Sequence, residues 1–226
     1  MPENRKILLL GAGGHCKSVL DSLHALSYYE TIGLIEKQKQ EASLDDGKNK
    51  AREKIMGVSI VGTDDDLQRL FLEGYTDAFI TVGSIGDVSL RKKLYSKIKQ
   101  IGFQIPNIID PSSVISPYSS MGEGVYVGKN TVINADTEIG NCAIINTASI
   151  LEHECKIGDF VHIAPGSILS GGVWVDEGTH IGTGSVVKQE VHIGAYTMIG
   201  MGSIVLHDVR SHKTAYGNPC KEVENE

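Results

Sequence analysis

A histidine stands between two acids in the stretch Leu151-Glu152-His153-Glu154-Cys155. A carboxylate beside an imidazole can orient the ring and raise its basicity, which makes His153 a candidate general base. Cys155 next to it would suit a Cys–His nucleophile. Its register in the surrounding repeat holds Ser, Thr, Val or Ala everywhere else, so packing explains it and direct attack by a substrate amine or hydroxyl is the simpler scheme. His162 and His180 lie one repeat of eighteen residues apart. A zinc site would need three imidazoles to converge, within one chain or across an interface. Intervals of nine and eighteen among His153, His162 and His180 provide no close pair, so no metal is expected. The plain alternative for each histidine is a solvated surface residue.

A second candidate for chemistry is Gly11-Ala-Gly-Gly-His15, which follows the apolar run at residues 6–10 and opens a helical pattern through Val19, Leu20, Leu23 and Leu26. A helix start has unpaired N–H groups that can cradle an anion. As a dinucleotide fingerprint it is incomplete, because Cys16 occupies the third glycine position. A tight strand-to-helix turn without a ligand fits it equally well.

The element that must position His153 is a repeat. Every sixth residue from Ile109 to Val205 is aliphatic, seventeen registers without a miss, and four places after each stands a small or β-branched residue. A hexapeptide period reads as a parallel β-helix. With three hexads to a coil, residues eighteen apart stack in columns. His153 then lies between Ala135 and Gly171, small neighbours that leave room for a ligand against the prism. Backbone groups near Gly171, Gly172, Thr183 and Met201 could bind an extended ligand, the last two sharing a column.

Ahead of the repeat, strands are expected at residues 6–10, Thr31–Ile35, Val58–Val61 and Asp77–Val82. Helices are expected after Gly14, from a Thr63 cap to Glu73, and along Leu90, Leu94, Ile98 and Ile101, with Arg91, Lys92 and Lys93 outside. Residues 37–54 read as a surface loop. Alternating strands and helices imply a small open parallel sheet, with its crevice near Gly13, Glu36 and Gly83. The expected division is an α/β domain over 1–105 and a β-helix with a short tail over 106–226. A net charge of -7 argues against a nucleic-acid partner. No apolar window is long enough to span a membrane, the N-terminus does not read as a signal peptide, and scattered cysteines suit a cytoplasmic setting. Val125, Val161, Val173, Val191, Tyr126 and Trp174 are expected to give one prism face an apolar, subunit-binding character.

Unbroken hexads resemble those of the left-handed β-helix acyltransferases. The run Ile7-Leu-Leu-Leu-Gly-Ala-Gly-Gly-His15, Gly83, the Glu-His-Glu-Cys run at 152–155 and the closing Gly217-Asn-Pro219 narrow the likeness. Together they resemble the sialic acid O-acetyltransferases and the bacterial nucleotide-sugar N-acetyltransferases. The resemblance implies a small N-terminal Rossmann-like domain for the nucleotide sugar, a left-handed β-helix that forms a homotrimer, and acetyl-CoA as co-substrate. It implies His153 as general base and Glu154 as the residue that raises its basicity. His162 corresponds to a histidine contacting acetyl-CoA, and Gly171, Thr183 and Met201 to backbone positions along the pantetheine. Gly13, Gly14, His15 and Gly83 match the nucleotide-side loops. Glu36-Lys37 stand where nucleotide-binding members usually carry two acids, which leaves the nucleotide open.

The expected reaction is acetyl transfer from acetyl-CoA to the amino group of a nucleotide-linked sugar, without an acyl-enzyme. O-acetylation of a sialic acid or related sugar uses the same base and stays open, as does a non-catalytic or metal-dependent prism. Arg210, Lys213 and Lys221 are candidate contacts for coenzyme phosphates.

Overall fold

The apolar run Lys6–Leu10 forms β1 of a computed structural model that describes residues 5–36 and 54–223. From Ile7 to Leu10 this strand is fully buried, as a strand covered on both faces must be. It pairs in parallel with β2 (Thr31–Ile35) on one side and β5 (Asp77–Ile80) on the other. β3 (Lys54–Ile55) and β4 (Val58–Gly62) complete the order β3-β4-β2-β1-β5. β3 is an addition to the sequence reading: it turns back on β4 at Met56-Gly57, both with positive φ. α1 (Gly14–Leu26) buries Cys16, Val19, Leu20 and Leu23. Thr63 and Asp66 form a reciprocal capping box, and the first turn winds as a 3₁₀ segment, Asp64–Asp66, before α2 (Leu67–Leu72). From β1 the chain moves to β2 on one side and later returns to β5 on the other. That switch opens a crevice at the carboxyl end of β1.

α3 (Ser89–Ile101) corrects one expectation. Leu94 and Ile98 face inward as the pattern required, but Arg91 is only 2% exposed and Leu90 is 48% exposed. Positions 91, 94 and 98 share one helical face. Reading Arg91 as solvated with Lys92 and Lys93 follows its charge and overlooks its spacing.

The chain divides into two compact units: residues up to Gly83 with Lys93–Pro106, and Ser84–Lys92 with the residues from Asn107 onward. In the second unit each of the seventeen hexads contributes one strand of two residues, from Ile108–Ile109 to Ile204–Val205. The second residue of each strand points inward and the first outward. Strands eighteen residues apart pair in parallel, giving three flat sheets of a left-handed β-helix. The first face carries Tyr126, Ile144, His162, His180 and Met198 outward; the second Val114, Val132, Ile150, Ile168, Val186 and Ile204; the third Ser120, Glu138, Lys156, Trp174 and His192.

The fourth-after register is interior. Thr131, Thr137, Ser149, Ser167, Thr179 and Ser185 are buried, and each hydroxyl donates to a carbonyl fifteen residues on, at 2.8–3.1 Å. A small donor fits there because the prism leaves room for little else and a buried carbonyl needs a partner. Val125, Val161, Val173 and Val191 fill the same register and Tyr126 is 1% exposed, so the expected apolar exterior face is corrected. Of that set only Trp174 is exposed, and it lies on the third face. The aliphatic exterior belongs to the second face, where Val114 is 65% and Ile168 37% exposed.

The polar tail also folds. Thr214–Gly217 and Cys220–Val223 form an antiparallel hairpin, and Met198 pairs with Thr214 to extend the first face. Among the described residues no helix is long and apolar enough to cross a membrane.

Candidate active site

His153 follows the strand Ile150–Leu151 at the corner between the second and third faces. The chain turns there because Glu154 adopts a left-handed conformation, φ 59°, with its N–H bonded to the Ala135 carbonyl at 2.9 Å. The His153 carbonyl accepts from Gly172 N–H at 2.9 Å, so the backbone under the ring is fixed by both adjoining coils. The imidazole lies over Gly171: a Cβ at that glycine would be 2.5 Å from Cε1 and 2.6 Å from Nε2 of His153.

Of the two flanking acids, one is committed elsewhere. Glu152 Oε2 accepts from Asn134 Nδ2 at 3.0 Å, whereas Glu154 Oε2 stands 3.0 Å from His153 Nδ1. A carboxylate can only accept, so in the neutral ring the proton lies on Nδ1 and the lone pair on Nε2. Both side chains are more than half exposed, so in an isolated chain the pair contributes little to stability.

Cys155 sits in the interior register, its Sγ donating to the Ser170 carbonyl at 3.4 Å just as the serines do. Burial pushes its thiol up to about 11, far from the thiolate a nucleophile requires.

His162 occupies the first face, away from the His153 corner. Its Nδ1 lies 3.1 Å from the Ser84 carbonyl and its Nε2 3.3 Å from Asn146 Nδ2. Thr147 N–H donates to Asn146 Oδ1 at 2.8 Å, which fixes the amide orientation and turns its N–H toward the ring. The neutral Nδ1–H tautomer satisfies all three contacts. His180, directly below in register, meets His162 edge to face at 4.8 Å. Burial foremost pushes His162 down to about 4, with the Ser84 hydrogen bond opposing and His180 and Arg91 adding to the depression. Burial lowers His180 as well. Ser84, Arg91 and Asn146 escaped the sequence reading; Arg91 alone had a signal, its spacing with Leu94 and Ile98.

Thr183 and Met201 stack at the corner between the first and second faces, both exposed, with Gly202 N–H bonded to the Thr183 carbonyl at 2.9 Å. Gly171 stands on the opposite edge of the second face, with His153. Arg210 is paired with Glu222, its Nη2 2.5 Å from Oε2. Among the described residues no three His, Cys, Asp or Glu side chains converge as metal ligands would.

In the first unit, Gly11 to His15 lead from β1 into α1. Gly11 has φ 112°, and a Cβ there would meet Val82 Cγ2 at 2.7 Å, so only glycine fits this turn. Gly13 caps α1 in an extended conformation without a side-chain cap, and a Cβ on Gly13 or Gly14 would meet nothing within 4 Å. Gly83 approaches His15, 3.7 Å separating their Cβ positions. Glu36 is tied by its N–H to the Gly62 carbonyl at 3.1 Å. These residues gather at the carboxyl ends of the parallel strands; Lys37 lies outside the described residues.

The PglD N-terminal domain family matches residues 6–98. PerB from Caulobacter crescentus, solved in complex with CoA and GDP-perosamine, is 37% identical over 97% of each chain with a TM-score of 0.86. The acetyltransferase domain of PglB from Neisseria gonorrhoeae, solved with acetyl coenzyme A, is 30% identical over 97% of this chain and 100% of that one, with the same TM-score. WeeI from Acinetobacter baumannii, 24% identical with a TM-score of 0.80 over 97% of this chain and all of that one, shares the fold. With 37% identity to PerB sustained over 97% of both chains, the chain belongs to the hexapeptide-repeat nucleotide-sugar N-acetyltransferases.

Proposed function

We propose that this protein transfers the acetyl group of acetyl-CoA to the amino group of a nucleotide-linked amino sugar, with His153 as general base. The observation that carries the reading is the imidazole seated over Gly171, with Nδ1 on Glu154 and the Nε2 lone pair open. The amine nitrogen attacks the thioester carbonyl, and its proton passes to Nε2. The tetrahedral intermediate collapses, the C–S bond breaks, and the imidazolium returns the proton to the departing thiolate. The relatives support the substrate classes, since PerB was solved with CoA and GDP-perosamine. Gly13, Gly14, His15, Glu36, Lys37 and Gly83 are assigned to the nucleotide sugar, and His162, Gly171, Thr183 and Met201 to the coenzyme. A panel of UDP-, GDP- and dTDP-linked 4-amino sugars, with free and CMP-activated sialic acids as competitors, tests the reading. Acetylation of an amino sugar with release of free CoA is expected; turnover confined to sialic acids would replace it with O-acetylation.

The working form is a homotrimer. His153 and Gly171 flank one edge of the aliphatic second face, and Thr183 and Met201 flank the other. His162 lies beyond that second edge. Head-to-tail packing on this face around a threefold axis would set His153 and Gly171 of one copy against Thr183 and Met201 of the next. It would also bury the exposed His153–Glu154 pair, strengthening their interaction. Ile168→Glu places a charge in the centre of that face and is expected to give monomers with over a hundredfold less activity. Light scattering beside the rate measurement checks it; an active monomer would overturn the shared site. Four free cysteines suit a reducing, cytoplasmic setting.

A further inference from the structure

The second unit buries a cation without a counter-ion. Arg91, in the first turn of α3, is 2% exposed, and among the described residues no carboxylate pairs with it. Its guanidinium donates instead to backbone oxygens: Nη1 to the Phe160 carbonyl at 3.0 Å and to Ser84 Oγ at 3.3 Å, and Nη2 to the Cys142 carbonyl. Nε has no partner. Cys142 and Phe160 are successive residues of one corner column, both left-handed with φ 54° and 58°. At these corners the backbone N–H bonds the preceding coil, Cys142 to the Glu123 carbonyl and Phe160 to the Asn141 carbonyl, each at 2.8 Å. A guanidinium is the side chain that can satisfy two carbonyl oxygens at once, because its donors form a planar fork.

Desolvating a lone guanidinium is costly, and two carbonyls and a hydroxyl offset this only in part. Burial accordingly holds Arg91 down at about 10, below the usual arginine range. A helix needing only an anchor here could have used Leu or Met. What the arginine adds is a fixed tether between the segment Ser84–Lys92 and the prism, and the carbonyl at the start of that segment is the one facing His162 Nδ1.

We propose that Arg91 is a positioning residue for His162: by clamping Ser84–Lys92 to the Cys142 and Phe160 carbonyls it holds the Ser84 oxygen against the ring and so fixes the tautomer with its proton on Nδ1. The inference rests on the assignment of His162 to the coenzyme side. Charged or titratable groups facing the ring are Arg91 from that segment and His180 on the next strand; Ile144 on the preceding strand is apolar, and Ser84 and Asn146 supply neutral contacts. Two cationic or potentially cationic neighbours and a buried ring act in the same direction, against protonation. His162 therefore presents one uncharged shape to the acetyl end of the coenzyme throughout the range in which an amine can attack.

The test is the imidazole ¹⁵N spectrum of the full-length protein, with acetyl-transfer kinetics beside it. In the wild type His162 is expected to show a protonated Nδ1 and an unprotonated Nε2 from pH 8 to pH 5. In Arg91→Met the two nitrogens should average toward a mixture of tautomers. The KM for acetyl-CoA should rise about tenfold, the scale on which partners that orient a functional imidazole act, while the KM for the acceptor holds. Arg91→Lys keeps the charge but loses the fork and should behave like Arg91→Met. A wild-type ring protonated on Nε2, or charged at pH 6, overturns the proposal even if neither variant folds. So does a folded Arg91→Met with an unchanged spectrum and unchanged KM. A merely structural arginine would lower Tm and leave the tautomer alone. A wild-type protein with the expected tautomer but no acetyl transfer refutes the functional assignment and leaves the positioning network standing.

Discussion

Replacing His153 by alanine is expected to lower the rate of acetyl transfer by about a hundred- to ten-thousandfold, the range a positioned general base supplies. An attacking ammonium has no lone pair, and even a neutral amine must shed a proton as the C–N bond forms. Among the described residues near the corner, the Nε2 lone pair is the group open to take it: Glu152 is held by Asn134, Glu154 by the ring itself, and Cys155 is buried with its thiol driven up to about 11. If the ring serves proton transfer rather than coenzyme binding, as proposed, the loss should appear in kcat and in kcat/KM together. His153→Asn keeps much of the side-chain shape without a usable base and should fall as far. The checks are steady-state kinetics with direct detection of released CoA, and a thermal shift with acetyl-CoA to show that the coenzyme still binds. Turnover within a few fold of wild type in either variant would remove His153 from the mechanism.

Most of the prism was legible from the sequence because every coil solves the same packing problem. An aliphatic residue every sixth position fills the interior, and the buried register four places on must be small and able to satisfy a carbonyl. That second rule is why Cys155 reads as packing from its register alone, and its Sγ bonds the Ser170 carbonyl accordingly. The exterior was harder. The outward residue is the one before each aliphatic, so Val114, Val132, Ile150, Ile168, Val186 and Ile204, eighteen residues apart, spell the apolar face. Taking the fourth-after register as surface sends Val125, Val161, Val173 and Val191 to the wrong side of the wall. The choice between Glu152 and Glu154 was beyond spacing altogether, since it depends on a left-handed corner and on a side chain one coil away, Asn134. Arg91 was misread for a different reason: charge outweighed its helical spacing, and nothing in a sequence marks which corner carbonyls a distant side chain will reach.

Gly171→Ala should cost about a hundredfold in rate while leaving the fold and assembly intact. The backbone there is not left-handed, so a methyl group carries no conformational penalty of its own. What it meets is the His153 ring, with Cε1, Nε2 and Nδ1 at 2.5, 2.6 and 3.1 Å from the new Cβ. These are the outer atoms of a side chain more than half exposed, which can swing outward without disturbing any coil. A displaced ring leaves Glu154 and the line of attack, and a misplacement of about 1 Å can cost on the order of a hundredfold. Tm and oligomeric state should therefore match the wild type while kcat falls. The decisive comparison is the double variant. If the methyl acts only by moving the imidazole, Gly171→Ala should cost nothing further once His153 is alanine, and the two losses will fail to add. A second full loss in the double variant would mean that Gly171 serves the coenzyme through its backbone, independently of the base.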